Sequence, residues 1–279
     1  MNFQIVTLQP EGYLHSRCFE EVAELLEFSL CDLGHQAKRS INRFHPQDLN
    51  ILLGYHLLPD PSVLRTVSYG VYQLEPLSAL SELMQERALA VLRGAKWVWD
   101  YSEQNRSWLE ERGIRSSLMI PGYHFQMQKI SLVKNPEIDL LFFGAVTPRR
   151  ARILERIRLK IPRLKILEGV YGKERDEWIA RSQAILNIHS YDRPLFEAVR
   201  ISYLLNNRCA VISEVSESEV YGGVPSLIFN DEKIDDLIDL FQERGRLRLI
   251  AEREAEFFKE HYSMSEILKE FLDSNKEIS

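Results

Sequence analysis

Arg193, Glu197 and Arg200 recur at spacings of four and three within the stretch Ser182–Glu214. On a helix that spacing gathers them on one stripe. Leu195, Phe196, Ala198, Val199, Ile201, Tyr203, Leu204 and Leu205 around them are apolar, so such a helix is largely buried and its charges must face either an internal partner or a ligand cleft. Just ahead of the stripe stand His189, Ser190 and Tyr191, at the end of the short apolar strand Ala184–Ile188. A histidine there can exchange a proton near neutral pH, and the two hydroxyls can donate hydrogen bonds.

A second cationic group, Arg149-Arg150, follows Gly144 and Thr147-Pro148. Cations at a helix N-terminus are mildly unfavourable unless an anion sits with them. The free backbone N–H groups of a first turn, with two guanidinium groups beside them, suit a diphosphate. Gly169 and Gly172 bracket a second strand end, with Tyr171 between them, where a glycine need mean no more than a turn. Earlier in the chain His15, His56 and His124 follow apolar strands or loops. A loop histidine is ordinarily solvated, but one that faces a cleft can act as a base.

These residues need elements to position them. Apolar strands are expected at 3–8, 50–53, 66–73, 97–99 and 118–120, alternating with helices at 18–33, 77–92 and 104–111. The polar segment 126–137, broken by Pro136, reads as a linker. Beyond it the alternation resumes, with strands at 140–143, 164–167, 184–188, 209–213 and 226–229. Helices follow at 148–159, 174–181, from Pro194, and from Asp231 to about 243, and a charged helical tail is interrupted near His261–Ser263. Asp192 is expected to cap the helix at Pro194, and Asn206-Asn207 to supply the left-handed residue that ends it. Strands alternating with helices in both halves imply an α/β fold of two doubly wound, Rossmann-like domains, 1–130 and 138–279, facing across a cleft. In such sheets ligands gather at the carboxyl ends of the strands.

The totals narrow the class. A chain of 279 residues accommodates two domains of about 130 to 150 each. Its hydrophobic share of 45% and charged share of 27% are ordinary for a water-soluble protein. A net charge of −6 without a basic block disfavours nucleic acid as a partner. Three cysteines, Cys18, Cys31 and Cys209, with no paired spacing, offer neither a disulfide framework nor a zinc site and fit a reducing compartment. The first residues lack the pattern of a signal peptide, and no apolar run has the length of a transmembrane segment. A cytoplasmic location is expected.

Neither G-x-G-x-x-G nor a P-loop occurs, which removes the main signals of dinucleotide oxidoreductases and P-loop enzymes. There is no Asp-x-Asp pair and no H-x-x-x-H, so a dedicated metal site is not expected.

The stretches 140–157, 169–205 and 209–214 resemble the donor-binding domain of GT-B-type glycosyltransferases. Segments 6–16, 49–59, 72–77 and 99–105 resemble the acceptor-side domain more loosely, and the whole is similar to a bacterial glycosyltransferase-like group. The resemblance implies transfer of a sugar from a nucleoside-diphosphate sugar to an acceptor hydroxyl or amine, without metal or other cofactor. In its terms Gly144, Arg149, Arg150, Tyr171, Gly172, His189, Ser190, Tyr191, Arg193, Glu197 and Arg200 bind the donor, and His15 or His56 is the base. The paired glutamates of the larger retaining families would fall at Pro194 and Ser202, so the stereochemistry stays open. Two alternatives stand beside transfer: a non-catalytic nucleotide or partner binder of the same fold, and a sugar-nucleotide epimerase.

Overall fold

The computed structural model describes residues 1–190, 196–216, 220–230, 234, 237, 241 and 244–275. They divide into two units, Met1–Gln126 with the C-terminal residues from Ser263, and Met127–Tyr262.

The first unit is built on a parallel sheet. Its strands are β1 (Asn2–Thr7), β2 (Gln36–Ile41), β3 (Leu49–Leu53), β4 (Tyr69–Gln73), β5 (Val98–Asp100) and β6 (Ser117–Leu118), in the order β2-β1-β3-β4-β5-β6. Phe3 lies opposite both Ala37 and Leu49, so β1 is paired on either side. Its apolar run is buried accordingly, as parallel central strands require. β2 is absent from the sequence expectation. Gln-Ala-Lys-Arg-Ser-Ile is an exposed edge strand with almost no apolar side to detect. Helices α1 (Glu20–Asp32), α2 (Glu82–Gly94) and α3 (Glu103–Glu110) connect the strands. The turns at Leu14–Phe19 and Leu77–Ala79, expected in part as α-helix, are 3₁₀. Gly70 is a strand glycine with a packing reason, since a Cβ there would run into the Trp97 indole.

In the second unit β7 (Ile138–Phe143), β8 (Leu164–Leu167), β9 (Ser182–Asn187), β10 (Val211–Glu214) and β11 (Leu227–Phe229) form a parallel sheet in the order β11-β10-β9-β7-β8. Helices α4 (Pro148–Lys160), α5 (Gly172–Ala180), α6 (Ala198–Asn206) and α7 (Arg244–His261) belong with it. Ile153, Leu154 and Ile157 of α4 bury against Leu140 and Phe142 of β7 and Leu186 of β9. Lys129 and Ile130 of the expected linker give their backbone N–H groups to Asn207 Oδ1 at 2.7 and 2.9 Å, so that segment is tied to this unit.

Three expectations need correction. The final helix, α8 (Met264–Ser274), groups with the first unit, not the second. Its buried face of Met264, Leu268 and Phe271 finds apolar partners there, Phe271 meeting the Trp99 ring edge-on at 5.2 Å. Next, α6 begins at Ala198, four residues later than expected, so Glu197 precedes the helix and does not share a helical face with Arg200, while Arg193 lies outside the described residues. Asp192 and Pro194 lie outside the described residues, as does most of the helix expected from Asp231. Last, the left-handed residue ending α6 is Arg208 (φ 55°), while Asn207 keeps φ −99° and spends its side chain on the linker.

Candidate active site at the strand ends of the second unit

In the second sheet the chain moves from β7 to β8 on one side and then to β9 on the other, so β7 and β9 flank the topological switch point. Crossovers diverge there and leave a crevice at the carboxyl ends, where ligands of open α/β sheets bind. β7 ends at Phe143, directly before Gly144, and β9 ends in Asn187, followed by Ile188, His189 and Ser190. The fold therefore brings Gly144, the start of α4, His189, Glu197 and Arg200 to one place.

Gly144 has φ 132°, and its N–H reaches Leu167 O at 3.0 Å. A Cβ on it would sit 2.7 Å from Arg200 Nη2 and 3.7 Å from Arg150 Nη1. Two guanidinium groups thus converge beside one glycine at a strand end. Arg150 is buried, donating from Nε and Nη2 to Ile188 O at 2.9 and 2.7 Å and from Nη1 to Ala145 O at 3.0 Å. Burial, reinforced by the Arg200 charge, pulls its pKa down to about 10. Arg200 donates from Nη1 to Asn187 Oδ1 at 2.8 Å and lies against the Phe143 ring. Arg149 forms a two-pronged ion pair with Glu214, the last residue of β10, and also reaches His189 O at 3.1 Å. The two arginines at the start of α4 are accordingly held by the protein, Arg150 as a brace across the strand ends. Thr147 caps the helix, its Oγ1 accepting from Arg150 N at 3.3 Å.

Glu197 is held from several sides. Its Oε2 accepts from Asn187 Nδ2 at 2.9 Å and meets His189 Nδ1 at 2.8 Å, while Oε1 lies 3.7 Å from Arg150 Nη2. The opposite ring nitrogen of His189, Nε2, meets Val215 O at 3.0 Å. Ser216 Oγ lies 3.3 Å from the same Nε2, so Nδ1 faces the Glu197 carboxylate while Nε2 faces a carbonyl and a hydroxyl. Burial works against a charge on the ring, but the hydrogen bond and charge of Glu197 outweigh it and raise the His189 pKa. Burial likewise pushes Glu197 up, and His189, Arg200 and Asn187 together bring it below the usual carboxylate value. Such a pair holds the Glu197 carboxylate and the His189 ring in place against each other.

Tyr171 and Gly172 (φ 60°) open α5 after β8, the neighbour of β7. That loop is joined to the Gly144 loop through Val146 N, which donates to Glu168 Oε1 at 2.8 Å. Ser190 is half-buried directly after His189, and Tyr191 and Arg193 lie outside the described residues. Asn187 and Glu214 are central here, and neither stands out in the sequence. Each is a polar residue closing an apolar strand, a signal that could have been read.

In the first unit β1 and β3 flank the corresponding switch point, and His15 and His56 follow those two strands. His15 is exposed beside the Tyr13 ring. His56 is largely withdrawn from solvent, its Nδ1 has no hydrogen-bond partner, and burial pulls its pKa down to about 4. It is neutral at pH 7 and a weak base. Sequence reasoning missed another titratable group at a strand end of this sheet. Glu75 stands two residues beyond β4, and burial pushes its carboxyl up to about 7. Asn105 donates to its backbone carbonyl at 2.9 Å and to Asp100 Oδ1 at 3.1 Å, and Asp100 is itself raised well above its ordinary value by burial.

Among the described residues no helix is long and apolar enough to cross a membrane, and no three His, Cys, Asp or Glu side chains group as metal ligands.

No protein-family model matches the chain. Part of it is 29% identical to uncharacterized protein L138 of Acanthamoeba polyphaga mimivirus, over 36% of this chain and 12% of that protein. Among solved structures, AviGT4, a glycosyltransferase involved in avilamycin A biosynthesis, superposes with a TM-score of 0.59 at 12% identity, covering 99% of this chain and 97% of that one. A mutant of S. aureus TarM in complex with Fondaparinux, α-GlcNAc-glycerol and UDP gives 0.54 at 10% identity over 81% of this chain, which spans 55% of TarM. At such identities the likeness is one of architecture, and the fold of this chain is that of the GT-B-type glycosyltransferases.

Proposed function

We propose that the strand-end cluster of the second unit binds the diphosphate of a nucleoside-diphosphate sugar, and that the chain transfers the sugar to an acceptor. The observation that carries this is the convergence of Arg200 and Arg150 on Gly144 at the switch point. The absent side chain lets an anion approach two cations and the first turn of α4 together. In an oxocarbenium-like transition state negative charge builds on the leaving diphosphate, and donors already in place stabilise it without reorganising. Glu197, fixed by Asn187 and His189, faces the same place as the acceptor for sugar or ribose hydroxyls. The complex of TarM with UDP supports a uridine nucleotide as the first to try. On the acceptor side, Glu75 and His15 are the groups we assign to receive the hydroxyl proton, with His56 set aside by its low pKa.

The test is a thermal-shift and calorimetric screen of nucleoside diphosphates, followed by assay of nucleotide-sugar turnover. A ligand that binds only the folded chain at one hundred times its Kd adds about 2.7 kcal/mol of stability. Release of free nucleoside diphosphate in the presence of acceptors is the expected result. Binding without release would reassign the chain as a nucleotide-binding relative of the fold, and no binding by any nucleotide would end the reading.

A further inference from the structure

The first unit carries a second concave site, whose lining includes Ser16, one residue beyond His15, and does not include Glu75. An open groove of about 840 Å³ runs along edge strand β2, the loop after β1 and the first half of α1. Four cations line it, Arg17, Lys38, Arg39 and Arg43, against two carboxylates, Glu20 and Glu27. The carboxylates are already engaged. Arg17 Nε donates to Glu20 at 2.8 Å, and Arg39 bridges Glu24 at 3.1 Å and Glu27 at 2.6 Å. Lys38 and Arg43 form no ion pair among the described residues, so the groove keeps an excess of positive charge in a chain whose net charge is −6.

The wall that carries Arg43 is built rather than loose. Asn42, in the left-handed region at φ 54°, clasps Gln9 twice, accepting from its N–H at 2.8 Å and donating to its carbonyl at 2.7 Å. Asn42 N also donates to Thr7 O at 3.1 Å, and Ser40 Oγ donates to Arg43 O at 2.7 Å. The β1 loop and the β2 loop are thereby locked together, and the backbone that presents Arg43 is fixed. Local αL geometry in a non-glycine residue persists only where such contacts hold it.

We propose that this groove is a binding site for a phosphate group, free or carried on a small polar molecule. Lys38 and Arg43, the lining cations outside any ion pair among the described residues, can give charge-assisted hydrogen bonds to one phosphate dianion. The volume, near the top of the range of about 300 to 1,000 Å³ for small-molecule pockets, leaves room for a sugar-sized body beside it. The site lies wholly in the first unit, and its test does not depend on sugar transfer.

Calorimetric titration of the full chain with ribose 5-phosphate, inorganic phosphate and ribose decides the matter, alongside the Lys38→Gln/Arg43→Gln variant. Both positions are exposed, and circular dichroism verifies that the variant folds. Ribose 5-phosphate should bind and ribose should not, and the double substitution should weaken binding at least about tenfold, as loss of charge-assisted hydrogen bonds does. Raised salt should weaken it too. Equal affinity for inorganic phosphate would identify the free ion as the ligand; tighter binding of ribose 5-phosphate would identify a phosphorylated sugar. Heat from neither phosphate, or binding that survives the double substitution, would overturn the proposal. In a parallel UDP titration, the binding that survives the double substitution belongs to the donor site of the second unit.

Discussion

At Gly144 one added carbon meets the Arg200 guanidinium at 2.7 Å, in a backbone conformation of φ 132° that L side chains rarely adopt. Gly144→Ala should therefore destabilise the protein by about 1 to 3 kcal/mol and push Arg200 off its position. Denaturant titration and UDP calorimetry check this, with affinity expected to fall more than about tenfold if the guanidinium groups receive the diphosphate. Glu75 offers a second residue-scale test. With its carboxyl near pH 7, the carboxylate form accumulates as pH rises, so transfer should accelerate through about pH 7 and level off above it. Glu75→Gln should lower the plateau and abolish that ascending limb. His56→Asn should leave both in place, because a group titrating at about 4 is already deprotonated throughout that range.

Among elements, the short segment joining β9 to α6 holds a coupled charge pair. The His189 pKa is raised above 6.5 in the fold, so the stability it contributes is full below 6.5 and lost as pH rises through the folded value. Glu197 is lowered, so its contribution is present above 4.5 and lost as pH falls through its folded value. Stability of the second unit should hold a plateau between these limits and decline on the alkaline side. His189→Gln should flatten the alkaline decline and cost about 1 to 3 kcal/mol, since it removes the group hydrogen-bonded to a partly buried carboxylate that keeps Arg150 and Arg200 nearby. Urea unfolding across the pH range measures both. Where this element starts was not legible in sequence, because the apolar run around Glu197 continues past the true helix boundary and propensity does not mark where the backbone turns. Strand β2 escaped for the opposite reason. An exposed edge strand has little apolar patterning to reveal it.

For the molecule as a whole, α8 returns to the first unit and completes its core. Phe271→Ala, removing a buried ring packed edge-on against Trp99, should destabilise that unit by about 3 kcal/mol. Tryptophan fluorescence should report it, because Trp97, Trp99 and Trp108 lie in this unit and Trp178 in the other. A melt that moves only for the second unit would contradict the assignment of α8.

What the sequence determined by itself was periodic: apolar strands alternating with helices, and hence parallel, doubly wound sheets with their polar residues at the carboxyl ends. Those properties are local, since burial of each strand is written in its own side chains. Pairing was decided only in three dimensions. Spacing named Arg149, Arg150, His189, Glu197 and Arg200 without saying that Arg149 closes on Glu214, that Arg150 braces Ile188 O, or that Glu197 turns back to His189. Each of those contacts joins residues from different elements, and the upward shift of the Glu75 carboxyl comes from burial that its own neighbours in sequence do not supply. The tertiary structure alone sets such distances, because charge and desolvation act through space and not along the chain.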